Sequence, residues 1–153
     1  MKTRFNIEKI EPNAYAALFA LEGYVRKTPL RKGYKELMKI RASQINSCAF
    51  CIEMHTAEAR KHGETESRIY ALSAWRESPL FSDEERALLQ LTEEVTLINH
   101  RGLTDETYAA LEKHFDSATI AQAIMQVVTI NAWNRITVSS RMMHAHQVEP
   151  VIV

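Results

Sequence analysis

Glu36-Leu37-Met38-Lys39-Ile40-Arg41-Ala42-Ser43-Gln44-Ile45-Asn46-Ser47-Cys48-Ala49-Phe50-Cys51-Ile52-Glu53-Met54-His55 is the stretch whose reading decides the fold. It holds two apolar-periodic segments divided by Asn46-Ser47. Tyr34, Leu37, Met38 and Ile40 keep helical spacing, so a helix runs from about Leu30 to Ile45, separated from what precedes it by Thr28-Pro29. Asn46 or Ser47 caps a second helix from about Ser47 to His62, which stops at Gly63, a residue suited to the left-handed conformation past a helix end. So short a connection folds the second helix back against the first.

The same grammar extends outward. Pro12 opens a helix on which Tyr15, Leu18, Phe19, Leu21 and Val25 keep the period to about Lys27. Thr65 caps a short helix through Trp75, and Ser82-Asp83-Glu84-Glu85 reads as a capping box opening a helix to about Asn99. Gly102 follows that helix, Thr104 caps another through about His114, and Asp116 or Ser117 begins a long apolar helix reaching about Arg141. No strand alternation competes. The 153 residues hold four Gly and four Pro, where average usage would give roughly eleven and eight, and that shortage of turn residues suits helix. The expectation is an all-α bundle of about six to seven helices, one domain over residues 1–153.

Nineteen Lys and Arg balance nineteen Asp and Glu, so neither nucleic acid nor an acidic membrane surface is an expected partner. The charged amino end does not read as a secretory signal, no apolar run approaches the roughly eighteen residues of a membrane span, and the chain is expected to be cytoplasmic. In that reducing compartment a purely structural disulfide is improbable, which draws attention to the two cysteines, Cys48 and Cys51.

At 100° per residue, Cys48, Cys51 and His55 point within about 60° of one another on one helix face. His55 lies one turn past Cys51 and two past Cys48, so an imidazole acting on a thiol acts first on Cys51. A fall in thiol pKa from near 8.5 to about 6.5 would raise the thiolate fraction at pH 7 roughly 25-fold while costing about 8-fold in nucleophilicity, a net gain of about threefold. Most of any acceleration must therefore come from proton delivery and positioning. Glu36, twelve residues before Cys48 on the folded-back helix, is the natural acid/base candidate.

The pattern Glu36-x11-Cys48-x2-Cys51-x3-His55 resembles the carboxymuconolactone decarboxylase superfamily, specifically its alkylhydroperoxidase AhpD-like branch. The flanks are similar to that family as well: Leu37 to Asn46 before the cysteines, Glu58-Ala59-Arg60 and Leu72-Ser73-Ala74-Trp75-Arg76 after them. The resemblance covers roughly residues 15 to 140. It implies an AhpD-like helical domain, a homo-oligomer expected as a hexamer, and alkyl hydroperoxide reductase (thiol peroxidase) activity on small organic hydroperoxides. In that reading Cys51 attacks, Cys48 resolves, Glu36 and His55 relay protons, and a thiol or lipoyl-type electron donor restores the dithiol. One departure is Phe50, which stands where some peroxidase members carry a second His. No glycine-rich phosphate loop is present, and no cofactor is expected.

Other readings stand beside this one. The two thiols could simply pack, or could bind zinc with His55, although a straight helix separates Cys48 and His55 by about 10 Å along its axis. A lactone decarboxylase of the same superfamily would need no dithiol, and a redox-sensing oligomer would form the disulfide without turnover. Glu58 could orient His55, while His62 is expected to meet terminal carbonyls at its helix end. Asn131, Asn134 and Arg135 either line a pocket or interface, or fix helix register as buried polar groups. Tyr15, Leu18, Phe19 and Met142-Met143 read as core or interface. His100, His114, His144 and His146 have no partner that spacing identifies.

Overall fold

A computed structural model describes residues 2–143. Its elements are α1 (Ile7–Ile10), α2 (Pro12–Lys27), α3 (Lys32–Ile45), α4 (Ala49–Lys61), α5 (Glu66–Ala71), a 3₁₀ turn (Leu72–Ala74), α6 (Asp83–Thr96), α7 (Asp105–Glu112) and α8 (Ser117–Ser140). The fold is all-helical, with no strand among the described residues. The eight helices are slightly more than the six to seven expected from sequence. The addition is α1, a single turn capped by Asn6, whose side chain accepts the Lys9 N–H. No helix among the described residues is long and apolar enough to cross a membrane. His144 and His146 lie outside the described residues.

Local chemistry sets the boundaries. Pro12 opens α2. Ser82 and Glu85 cap α6 reciprocally, Ser82 Oγ accepting the Glu85 N–H at 3.4 Å and Glu85 Oε2 accepting the Ser82 N–H at 2.9 Å. Thr65, Thr104 and Asp116 cap α5, α7 and α8. Gly63 and Gly102 take φ of 90° and 68°, where a side chain would be strained. The turn between α3 and α4 differs from expectation. Asn46 ends α3, its N–H returning to Ala42, and Ser47 takes a left-handed φ of 54°, so the cap of α4 falls to Cys48 itself.

Helix α3 is the axis of the molecule, packed against α4, α6 and α8. Leu30, Met38, Leu88, Leu91, Leu111, Ile120 and Val127 form one part of the core. Leu37, Ile40, Leu72, Trp75, Phe81 and Leu89 form another. Every residue from Lys35 to Ile40 is buried, three charged side chains included. Lys35, Glu36 and Lys39 are 5%, 5% and 7% exposed, and charges so enclosed need partners, which makes this face of α3 the place to look for chemistry.

Candidate active site

Glu36 sits midway along α3, and the tight Asn46–Cys48 turn brings α4 back beside it. Glu36 Oε2 meets His55 Nδ1 at 3.1 Å, and Glu36 Oε1 accepts from Lys39 Nζ at 3.1 Å. Lys39 also faces Glu22 Oε1 of α2 at 3.9 Å. Burial by itself would raise the Glu36 carboxyl. The hydrogen bond from His55 and the Lys39 charge outweigh it and hold the group below the usual carboxylate range, so it is ionised at neutral pH. With Nδ1 held by a carboxylate, His55 has Nε2 left for chemistry.

Both cysteines are unbridged thiols and each is 1% exposed. Cys48 Sγ accepts the Cys51 N–H at 3.4 Å, so the first thiol is built into the start of α4. Contact with Cys48 and then burial push the Cys51 thiol above its usual range, while donors from Asn134 and Thr137 on α8 pull the other way. Cys51, Glu36 and His55 line one cavity of about 590 Å³. Cys48 is not in its lining and is buried with Ala42 and Ile130. Two other concavities, about 540 and 480 Å³, lie along α6 and α7 and contain no cysteine.

Tyr15, Phe19 and Trp133 form one wall of that cavity, with ring centroids 5.3–5.4 Å apart, and Trp133 Nε1 donates to Glu22 Oε2 at 3.2 Å. This corrects the reading of Tyr15, Phe19 and Met142 as core or interface, since all three line the cavity. An aromatic on a helix face carries the same periodic signal whether it meets core or cavity, so sequence alone cannot separate the two.

Glu58 does not orient His55. It pairs with Lys61 at 3.1 Å and lies 3.8 Å from His62 Nε2, and Glu36 holds His55 instead. His62 reaches the cavity rim. Asn131 and Asn134 form a buried polar network with the exposed Arg135 at its edge. Asn46 Nδ2 donates to Asn131 Oδ1 and to Asn134 Oδ1, each at 2.9 Å, Asn134 Nδ2 donates to Ser43 Oγ at 3.0 Å, and Arg135 Nη1 donates to Asn131 Oδ1 at 2.8 Å. It ties α8 to the α3–α4 turn and so fixes where Cys51 stands. Glu22 and Thr137 escaped the sequence reading. A run of Asn131, Asn134 and Thr137 every three residues along an apolar helix was the signal for the last of these. No three His, Cys, Asp or Glu side chains among the described residues are grouped to hold a metal ion.

An all-helical fold with a Glu, a C-x-x-C and a His converging beside one cavity defines the AhpD-like class. The chain belongs to the carboxymuconolactone decarboxylase family, whose model matches residues 12–94. It is 41% identical over 139 residues to the uncharacterised protein YdfG of Bacillus subtilis, across 91% of this chain and 95% of that one. A solved structure from Agrobacterium tumefaciens, a protein of unknown function put forward as an AhpD antioxidant defence protein, superposes with a TM-score of 0.92 at 42% identity. That match covers 95% of this chain and all of the other. An uncharacterised peroxidase-related protein from Ralstonia eutropha, an AhpD core, shares the fold at 19% identity with a TM-score of 0.78, over 89% of this chain and 73% of that one.

Proposed function

We propose that the protein is a thiol-dependent peroxidase of the AhpD type that reduces small organic hydroperoxides. The observation that carries this reading is the buried Glu36–His55 pair lining the same cavity as Cys51. The likeness to the Agrobacterium structure put forward as an antioxidant defence protein supports it.

His55 Nε2 takes the Cys51 proton, and the thiolate attacks one peroxide oxygen. The O–O bond breaks, Cys51 becomes a sulfenic acid, and the departing alkoxide receives the proton from His55 to leave as the alcohol. Cys48 then attacks the sulfenic sulfur. The S–O bond breaks, hydroxide takes the Cys48 proton and leaves as water, and a Cys48–Cys51 disulfide remains. A dithiol donor returns two electrons and two protons. Because Cys51 is held above its usual thiol range, it keeps its proton until a base removes it, which is the task the Glu36-oriented imidazole suits. The ionised Glu36 serves by orienting His55 and stabilising its cationic form.

The test is steady-state turnover of cumene hydroperoxide with dithiothreitol as electron donor. The wild type should turn over and the Cys48→Ser/Cys51→Ser double variant should not. A disulfide that forms without repeated turnover would instead mark a redox sensor. Lactone decarboxylation that survives in the double variant would mark a decarboxylase.

A further inference from the structure

The cavity lining is chemically mixed. Phe19, Trp133 and Met54 are apolar, while Arg26, Lys32, Lys35 and Lys39 bring cations beside the Glu22, Glu36 and Glu58 carboxylates. None of Arg26, Lys32 and Lys35 has a carboxylate within ion-pair range among the described residues, whereas Lys39 is met by Glu36 and Glu22. Lys35 is the telling one, since its side chain is enclosed and its ammonium donates only to backbone carbonyls, Arg26 O at 3.1 Å and Thr28 O at 2.8 Å. An ammonium has three N–H donors, so one remains. A buried cation without a counter-anion is costly, and one placed in a cavity wall can be relieved by an anion brought in with a ligand. In line with this, burial and then the neighbouring Lys39 press the Lys35 ammonium below its usual range, and the Glu36 and Glu22 carboxylates offset that only in part.

We infer that the cavity takes its substrate as an amphiphilic carboxylic acid, with the apolar body against Phe19, Trp133 and Met54 and the carboxylate on Lys35, flanked by Arg26 and Lys32. At about 590 Å³ the cavity lies within the range of pockets that enclose small organic molecules. The inference deepens the peroxidase reading by naming the class of hydroperoxide, one that bears an acid group. Its test needs no turnover, so the two can fail separately.

The competing account is structural. The same two carbonyls lie at the end of α2, and Lys35 could be no more than their cap. Titration calorimetry of the reduced protein with decanoate, decyl phosphate and decanol separates the two. Decanoate should bind at least tenfold more tightly than decanol, about 1.4 kcal/mol, and at least as tightly as decyl phosphate. In Lys35→Met the preference for acid over alcohol should fall below threefold. If that variant does not fold, the exposed-rim variant Arg26→Gln/Lys32→Gln should lower the preference at least twofold. Decanol binding within threefold of decanoate, no binding by either, a tenfold preference for decyl phosphate over decanoate, or an acid preference unchanged in the variant that folds would each overturn the inference. A merely structural Lys35 predicts the last result, together with a lowered Tm.

Discussion

Replacing Glu36 by Gln keeps the size and shape of the side chain and removes its charge. Of its two buried contacts of 3.1 Å, the one to His55 Nδ1 then changes from a charge-assisted to a neutral hydrogen bond, while the one from Lys39 Nζ keeps the ammonium charge but loses its ion pair, leaving Lys39 with Glu22 at 3.9 Å as its carboxylate. Charge-assisted bonds contribute about 1.5–3 kcal/mol and neutral ones about 0.5–1.5, so the His55 bond loses about 1 kcal/mol, and the lost Lys39 ion pair brings the total to about 2 kcal/mol. For a chain of this length that is about 4–8 °C in Tm. Turnover should fall far more, on the order of 10²-fold, because Glu36 orients and charge-stabilises the imidazole that moves the proton, and a positioned acid/base group typically contributes about 10²–10⁴. The stability gap also has a pH signature. The folded-state carboxyl lies below its ordinary value, so its stabilisation is complete above the unfolded value of about 4.3 and is lost as pH falls through the folded one. The Tm difference between wild type and Glu36→Gln should hold from pH 5 to 8 and shrink below about pH 4. The assays are peroxide turnover at 25 °C, with circular dichroism and thiol titration to confirm the fold, and thermal melts across pH. A folded variant with both thiols that keeps more than about a tenth of wild-type turnover from pH 6 to 8 would refute the relay and reduce Glu36 to a structural residue.

Asn46→Ala removes the donor that Asn131 Oδ1 and Asn134 Oδ1 share. Arg135 still serves the first, so one buried oxygen is orphaned and a loss of about 1–3 kcal/mol should appear in urea unfolding, with unchanged stability contradicting the network. Ser47→Gly relieves a left-handed φ of 54° at an exposed turn and should stabilise by about 0.5–1 kcal/mol in the same assay, whereas a loss would show that the Ser side chain contributes more than its strain costs. Tyr24 on α2 and Val128 and Val138 on α8 are exposed apolar side chains on the two helices whose faces exceed the needs of one small core, so a homo-oligomer, a hexamer in our reading, is expected. Light scattering that gives the 17.5 kDa chain mass at micromolar concentration would contradict it.

What the sequence made legible was local. The Ser82–Glu85 box, the glycines at 63 and 102 and the Asp116 cap act through neighbours three or four residues away, so they read directly from spacing. The α1 turn was not legible because four residues carry no period. The start of α4 shifted because a thiol is not a usual cap and because Ser47, not a glycine, takes the left-handed turn. Glu36 could be placed near His55 because only a tight turn separates their helices. The Lys39–Glu22 contact and the Tyr15–Phe19–Trp133 wall depend on how α2 and α8 meet α3, and no short-range pattern carries that information.

The proposed cycle gives the attack to Cys51 and the resolution to Cys48. Mass spectrometry of the Cys48→Ser and Cys51→Ser variants after one equivalent of cumene hydroperoxide, in the presence of a sulfenic-acid trap, separates the two roles. A trapped sulfenic acid on Cys51 in Cys48→Ser and no adduct in Cys51→Ser are expected. An adduct on Cys48 in Cys51→Ser, with Cys48→Ser inert, would contradict that assignment.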